Sequence, residues 1–287
     1  SLSHGNRRHS PLRRRSMSMI ARLSPLVVED AVAHALKEDF GDAGDITTNA
    51  TIPTDANAKA VIAARKPGVI AGVDAALTAF RLADPAIETA IEKDDGAGVQ
   101  KGDVILSIEG PARGVLSGER VALNFMGHLS GVATATAALV DAVKGTKAKI
   151  VCTRKTTPGL RAFEKHAVRC GGGHNHRFGL YDAVMIKDNH IAASGGIAKA
   201  LADAREAVGH MVKIEIEVDS LGQLEEALAN GADVVLLDNM APADLKRAVE
   251  INKGRAVLEA SGNVTIETVR AIAETGVDVI SSGWITH

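Results

Sequence analysis

Aromatic residues are nearly missing from this 287-residue chain: one Trp, one Tyr and five Phe make up 2% of it. That scarcity excludes a stacking platform for single-stranded nucleic acid, which needs aromatic faces. The core must be built from Ala, Val, Ile and Leu, a profile of β-branched strands and Ala/Leu helices that suits α/β packing. Cysteine is also scarce. Cys152 and Cys170 are too few for a disulfide framework in a chain this long, so a reducing cytosol is the expected compartment. No apolar run reaches membrane-spanning length, and the N-terminus lacks the apolar segment of a secretory signal. Acidic charge is missing from residues 1–22, which hold six arginines. Without them, 27 basic residues face 35 acidic ones, a net −8 where the whole chain carries −2. The tail 1–23 has no period and almost no apolar content and reads as disordered, with Met17 or Met19 a plausible translation start.

What is present divides in two. "SPLVVEDAVAHALKED" reads as a helix with Ser24 as cap and Pro25 in the first turn. "FGDAGDITT" breaks it, and short strands are expected at 59–64, 68–72, 87–92 and 103–109 around a helical "GVDAALTAFRLAD". This predicts a small N-terminal α/β sandwich domain over 24–118. Ser117 then reads as the cap of a long helix, 118–143, rich in small residues that permit close helix approach. From residue 148 a strand–helix rhythm sets in, and "LEEALANGADVVLLDN" and "VRAIAETGVDVISSG" echo each other. Gly231 and Gly276 end their helices, and the units imply right-handed crossovers in a parallel sheet. Six strands fit an incomplete, seven-stranded-like α/β barrel over 119–287, with a doubly wound sheet as the alternative. No early GxGxxG follows a strand, which argues against a dinucleotide fold.

Charge marks the strand ends. Arg154 and Lys155 follow "KIVC", Lys187 ends "DAVMIK", and Asp238 ends "VVLLD". In "KIEIEVD", period two puts Glu215, Glu217 and Asp219 on one face. In a barrel these groups meet in one mouth at the carboxyl ends of the strands; an exposed edge strand is the other reading of 213–219. Lys187 could form a Schiff base, serve as a fixed positive charge, or sit in a structural ion pair. "CGGGHNHR" offers Cys170, His174 and His176 as a zinc set without an evident fourth ligand; His176-Arg177 fits an anion-binding loop better. His190, after Asn189, reads as a local cap. "LEASGN" and "SSG" follow the last two strands with small residues, suiting a phosphate site aided by a helix start near 264. Arginine forks and acids able to hold Mg²⁺ together ask for a highly anionic substrate.

With those residues placed, the chain resembles the quinolinate phosphoribosyltransferase family over about 24–287. The resemblance rests on "EDFGDAGDITT", "GERVALNF", "LSGVAT", "TRKTTPGLR", "HNHRFGLYDAVMIKDNH", "IEIEVD", "VVLLDN" and "EASGN". It implies transfer of phosphoribosyl from phosphoribosyl pyrophosphate to quinolinate with decarboxylation, dependent on Mg²⁺. It implies a homodimer with shared active sites, or a hexamer of dimers, and neither nucleic acid nor membrane as partner. Arg154, His176, Arg177 and Lys187 would line the quinolinate pocket, with Arg120 supplied by the neighbouring subunit and Lys155 near both substrates. Glu217 and Asp238 would face the ribose and metal, and Ser261, Gly262 and Gly283 the 5′-phosphate. Gly127-His128 and Trp284 depart from the family pattern, and a short segment past His287 is expected. A related phosphoribosyltransferase-like protein with another acceptor, a barrel aldolase using Lys187, and a non-enzymatic RNA or anion binder using the Arg tail are the alternative readings.

Overall fold

A computed structural model describes residues 20–287, and residues 1–19 of the expected basic tail lie outside them. Arg22, at the tail's end, pairs with Asp74 and Asp94 (2.6 Å for the latter). The first layer holds α1 (Pro25–Phe40), α2 (Ile46–Thr51) and α3 (Val73–Ala83) against strands β1 (Asn57–Ala63), β3 (Glu88–Ile91) and β5 (Val104–Pro111). These strands form an antiparallel sheet in the order β1-β5-β3, and β2 (Gly68–Val69) pairs with β4 (Gly98–Val99) beside it. Ser24 receives backbone N–H groups on its carbonyl but makes no side-chain cap. The glycine break after α1 is real, yet it leads into α2, which Asp45 caps by accepting from the Thr48 amide at 2.9 Å.

The long helix α4 (Ala112–Ala142) begins six residues before the expected start, because Ser117 is a helical residue whose hydroxyl donates to Asp45 at 2.9 Å. The small residues do permit close approach: a Cβ on Gly118 would lie 3.1 Å from the Ala83 Cβ of α3. By length and composition α4 could cross a bilayer, contrary to the expectation from sequence. In the fold it packs on α3 and on α5 (Arg161–Cys170), with Ala122, Leu129, Ala133 and Leu139 buried in the core.

The second layer is one parallel sheet of β6 (Lys149–Val151), β7 (Val184–Ile186), β8 (Ile214–Val218), β9 (Val234–Asp238), β10 (Val257–Ser261) and β11 (Val279–Ser281). Its order is β6-β11-β10-β9-β8-β7. Helices α7 (Ile197–Ala207), α8 (Leu221–Ala229), α9 (Pro242–Asn252) and α10 (Val269–Glu274) return the chain between strands. His174 adds a single parallel bridge to Val151, so one residue stands where a seventh strand would close the ring. This is an incomplete α/β barrel, and the doubly wound alternative is excluded by the strand order. Three helices go beyond the sequence expectation: α2, α5 and α6 (Asp188–Ser194). Glu164, Lys165 and His166 of α5 are all buried, which masks the apolar periodicity that marks a helix.

Candidate active site

The carboxyl ends of the six parallel strands open into one mouth of about 860 Å³. Parallel pairing fixes its layout. Glu217 is level with Leu236 of β9, and Asp238 is level with Ser261 of β10. Arg154 and Lys155 enter after β6, Arg177 from the bridge segment, and Lys187 after β7. Cations thus occupy the side where the barrel is open, acids follow on β8 and β9, and small residues close the circuit on β10 and β11. A second cavity of about 760 Å³ adjoins the β7 side and shares Arg154, Arg177 and Lys187.

The alternation read in 213–219 holds within β8, but Asp219 lies past the strand's end, exposed and outside the mouth lining. Ile214, Ile216 and Val218 are buried toward the helices, while Glu215 and Glu217 turn inward. Glu217 and Asp238 make no ion pair with any described residue, although Asp238 accepts a hydrogen bond from the Asn239 side chain at 3.1 Å. Burial, and then the charge of Asp238, raise the Glu217 pKa, with Lys187 pulling it back. Two inward carboxylates that repel one another and form no ion pair with a described residue fit a divalent metal, with oxygen donors of the kind Mg²⁺ takes.

Deeper, His176 joins two buried acids. Its Nε2 lies 2.9 Å from Glu215 and 3.3 Å from Glu259, and its Nδ1 accepts the Arg177 amide at 2.9 Å. Burial opposes charge on His176, but hydrogen bonds to Glu215 and Glu259 outweigh it and raise the pKa to about 10. Burial pushes Glu215 up to about 7. With Nδ1 accepting the Arg177 N–H, the ring proton sits on Nε2 toward Glu215 and Glu259, and any further proton the cluster retains lies on those carboxylates. Glu259 carries no signal in the sequence, because one acid in the strand "AVLEAS" gives no alternation to read.

The turn after β10 is built for close backbone approach. Gly262 adopts φ 92°, and a Cβ there would overlap the Asn239 side chain. Gly283 passes close to the aliphatic stem of Lys155, where a Cβ would meet its Cδ at 2.8 Å. The helix start expected near 264 is not there. Residues 262–268 are loop and turn, and α10 begins at Val269, so no helix N-terminus stands behind the turn after β10. The zinc reading of "CGGGHNHR" is also corrected: His174 meets Arg169 at 3.0 Å and His176 meets the glutamates, while Cys170 lies with Asp95 and His166. Arg161 is framework, donating to Thr156, Phe178 and Arg154 oxygens. His190 is a local cap, accepting the Lys187 amide at 3.0 Å. Arg120 is exposed on α4 and does not reach the mouth of its own chain.

Fold and mouth together define an incomplete-barrel protein with cations, inward acids and small-residue turns sorted around one mouth. Two family models cover nearly all of the described chain: the quinolinate phosphoribosyl transferase N-terminal domain over 45–130 and its C-terminal domain over 132–287. The chain belongs to the quinolinate phosphoribosyltransferase family. It is 45% identical over 265 residues to the probable nicotinate-nucleotide pyrophosphorylase [carboxylating] of Bacillus subtilis (strain 168), covering 92% of this chain and 91% of that protein. It is 42% identical over 271 residues to quinolinate phosphoribosyltransferase [decarboxylating] 1b of Nicotiana tabacum, covering 88% and 77%. The solved nicotinate-nucleotide pyrophosphorylase of Francisella tularensis superposes with a TM-score of 0.89 at 40% identity, covering 94% of this chain and 95% of that one.

Proposed function

We propose that this chain transfers the phosphoribosyl group of phosphoribosyl pyrophosphate to quinolinate, releasing pyrophosphate and CO₂ and forming nicotinate mononucleotide for NAD biosynthesis. The observation that carries this reading is the sorting of charge around one mouth: cations, then acids, then small-residue turns. Arg154, Arg177 and Lys187 hold the two quinolinate carboxylates, for which planar arginine forks are well matched. Ser261, Gly262 and Gly283 receive the 5′-phosphate on exposed backbone. Lys155, whose stem packs over Gly283, stands between the two. Holding two anions that would otherwise repel is most of the work.

The quinolinate ring nitrogen attacks the anomeric carbon as pyrophosphate departs. Positive charge develops on the ribose, and Glu217 and Asp238 stabilise it electrostatically. Those two acids would also hold Mg²⁺, which neutralises charge on the leaving pyrophosphate. The alkylated ring is cationic and stabilises the electron pair left on C2 when the 2-carboxylate leaves as CO₂; C2 then takes a proton from solvent, and Lys187 acts as a charge and forms no covalent bond. Arg120, exposed on α4 and absent from its own mouth, serves the site of a second copy in a two-fold dimer. Of the small α4 residues that could build such an interface, Ser130 is used within the chain, donating to the Ala71 carbonyl at 3.2 Å, and Ala133 is buried. Gly127 and Gly131 face open space. The test is incubation with quinolinate, phosphoribosyl pyrophosphate and Mg²⁺. Equal amounts of CO₂ and nicotinate mononucleotide are expected, and their absence sinks the reading.

A further inference from the structure

His176 lines the mouth, yet both of its ring nitrogens are taken inside the protein. Nε2 faces Glu215 at 2.9 Å and Glu259 at 3.3 Å, and Nδ1 accepts the Arg177 amide at 2.9 Å. No polar atom of the ring remains for a substrate carboxylate. What the ring does hold is the peptide of the next residue. Its own carbonyl is pinned as well, accepting from the buried Lys165 ammonium at 3.0 Å. The Arg177 guanidinium is steered at its far end by a hydrogen bond to the Ala183 carbonyl at 3.1 Å, and it pairs with no carboxylate among the described residues.

The two acids come from β8 and β10, with β9 between them, so the clamp spans the barrel interior. Glu259 is 3% exposed and Glu215 is 5% exposed, and each leaves its Oε1 without a partner. An apolar residue at either position would avoid a buried polar atom with no hydrogen bond, which folding penalises. Costly groups retained beside a mouth point to use there. Each acid also lies two residues before a mouth group on the same strand face, Glu215 before Glu217 and Glu259 before Ser261.

Resting on the reading of this mouth as the quinolinate site, we propose that Glu259 and Glu215 are positioning residues for the acceptor. They fix the His176 ring, the ring fixes the Arg177 peptide, and Arg177 thereby meets the quinolinate carboxylate at a set place. The clamp couples the acid and phosphate strands to the acceptor loop without touching either substrate.

The test is steady-state kinetics with both substrates varied, on wild type, Glu259→Ala, Glu259→Gln, Arg177→Ala and the Glu259→Ala/Arg177→Ala double variant. Glu259→Ala should raise the quinolinate KM about tenfold or more, the scale expected for a displaced positioning group. The KM for phosphoribosyl pyrophosphate should move less than about twofold, since the clamp does not touch that substrate. Glu259→Gln keeps an oxygen for the Nε2 hydrogen and should restore most of the loss. The double variant should be no worse in quinolinate KM than Arg177→Ala alone, because Glu259 acts through Arg177. Equal rises in both KM values, additive effects in the double variant, or a Gln variant as impaired as the Ala variant would each overturn the relay. If Glu259→Ala does not fold, Glu259→Asp withdraws the carboxylate from Nε2 by one methylene and must show the same split. Wild-type turnover in this assay separates the two questions: no product there fails the reaction itself, whereas product with unsplit KM values fails only the relay.

Discussion

The two ends of the parallel sheet use the same kinds of residue to opposite effect. At the amino end, Asp233 and Asp278 stand just before β9 and β11. Asp233 accepts the Ile214 amide at 2.9 Å and Arg205 at 3.0 Å. Asp278 accepts the Leu258 amide at 2.9 Å and Lys147 at 2.8 Å. Each carboxylate stitches a neighbouring strand to its own and has its charge answered. At the carboxyl end, Glu217 and Asp238 repel one another, and Arg154, Lys155 and Lys187 make no ion pair with described residues. Burial would raise Asp233, but the Ile214 amide, Arg205 and Lys213 outweigh it and hold its pKa below the usual carboxylate range. The Glu217 pKa moves the other way. Answered charge stabilises the sheet, and unanswered charge marks the candidate site.

Breaking the carboxyl end should cost activity and spare stability. Lys187→Ala is expected to lower kcat/KM by about 10²–10³-fold, the range for losing one preorganised electrostatic group. Its thermal midpoint should stay within about 2 °C of wild type, as for a surface substitution. Borohydride trapping of an imine at Lys187 would instead make it a nucleophile. Asp238→Asn keeps shape and removes charge, so it should reduce kcat by about 10²-fold, with quinolinate binding affected less. An unchanged kcat would remove the electrostatic role.

The comparison sharpens across chains. Arg120→Ala and Lys187→Ala proteins, each inactive alone, are mixed under conditions of subunit exchange. With Arg120 acting in trans, a mixed dimer holds one doubly defective site and one intact site. Activity should then return to about half the wild-type value per mixed dimer. Verified exchange without recovery would place Arg120 outside the partner's site.

At the amino end the expected effect is on stability. Asp233→Ala leaves the Ile214 amide without its acceptor and should cost about 1–3 kcal/mol in urea unfolding, with kcat unchanged. A kcat loss as large as that of Asp238→Asn would erase the distinction between the ends.

The smallest effects are in pH. The folded pKa of Asp233 lies below its unfolded value, so its contribution is full above about pH 4 and is lost as pH falls through the folded value. The deficit of Asp233→Asn should therefore shrink between about pH 6 and about pH 3. Glu217 has a raised folded pKa, so its carboxylate costs stability above the unfolded value. Glu217→Gln should gain stability at neutral pH and nothing at acid pH. Parallel pH profiles for the two variants would contradict the assignment of opposite signs.

Much of the site is legible in the order of residues alone. Period two in "KIEIEVD" identifies the inward acids because an alternating strand must bury one face and charge cannot go to the apolar one. Repeated Gly-Ala/Val-Asp steps locate βα units because helix stops and strand starts are local events. Less legible is anything whose signal is suppressed by tertiary partners. The α5 helix hides its apolar stripe because Glu164, Lys165 and His166 are buried with His128, Cys152 and Asp95 as partners. The start of α4 lies earlier than its cap pattern suggests, because Ser117 looks like a cap until Asp45, 72 residues away, accepts its hydroxyl.

The sequence by itself determined the strand and helix rhythm, the inward faces of β8 and β9, and the family to which the chain belongs. These follow from short-range geometry, the 2.0 and 3.6 periods, and from motifs that survive as linear strings. Only the tertiary structure decided that Glu259 and Glu215 meet on one imidazole, that a single bridge at His174 stands for a seventh strand, and that Arg120 lies outside the mouth of its own chain. Those facts depend on which strands become neighbours. Strand order β6-β11-β10-β9-β8-β7 is set by burying faces against helices across the whole sheet, a collective balance that no local stretch of residues encodes.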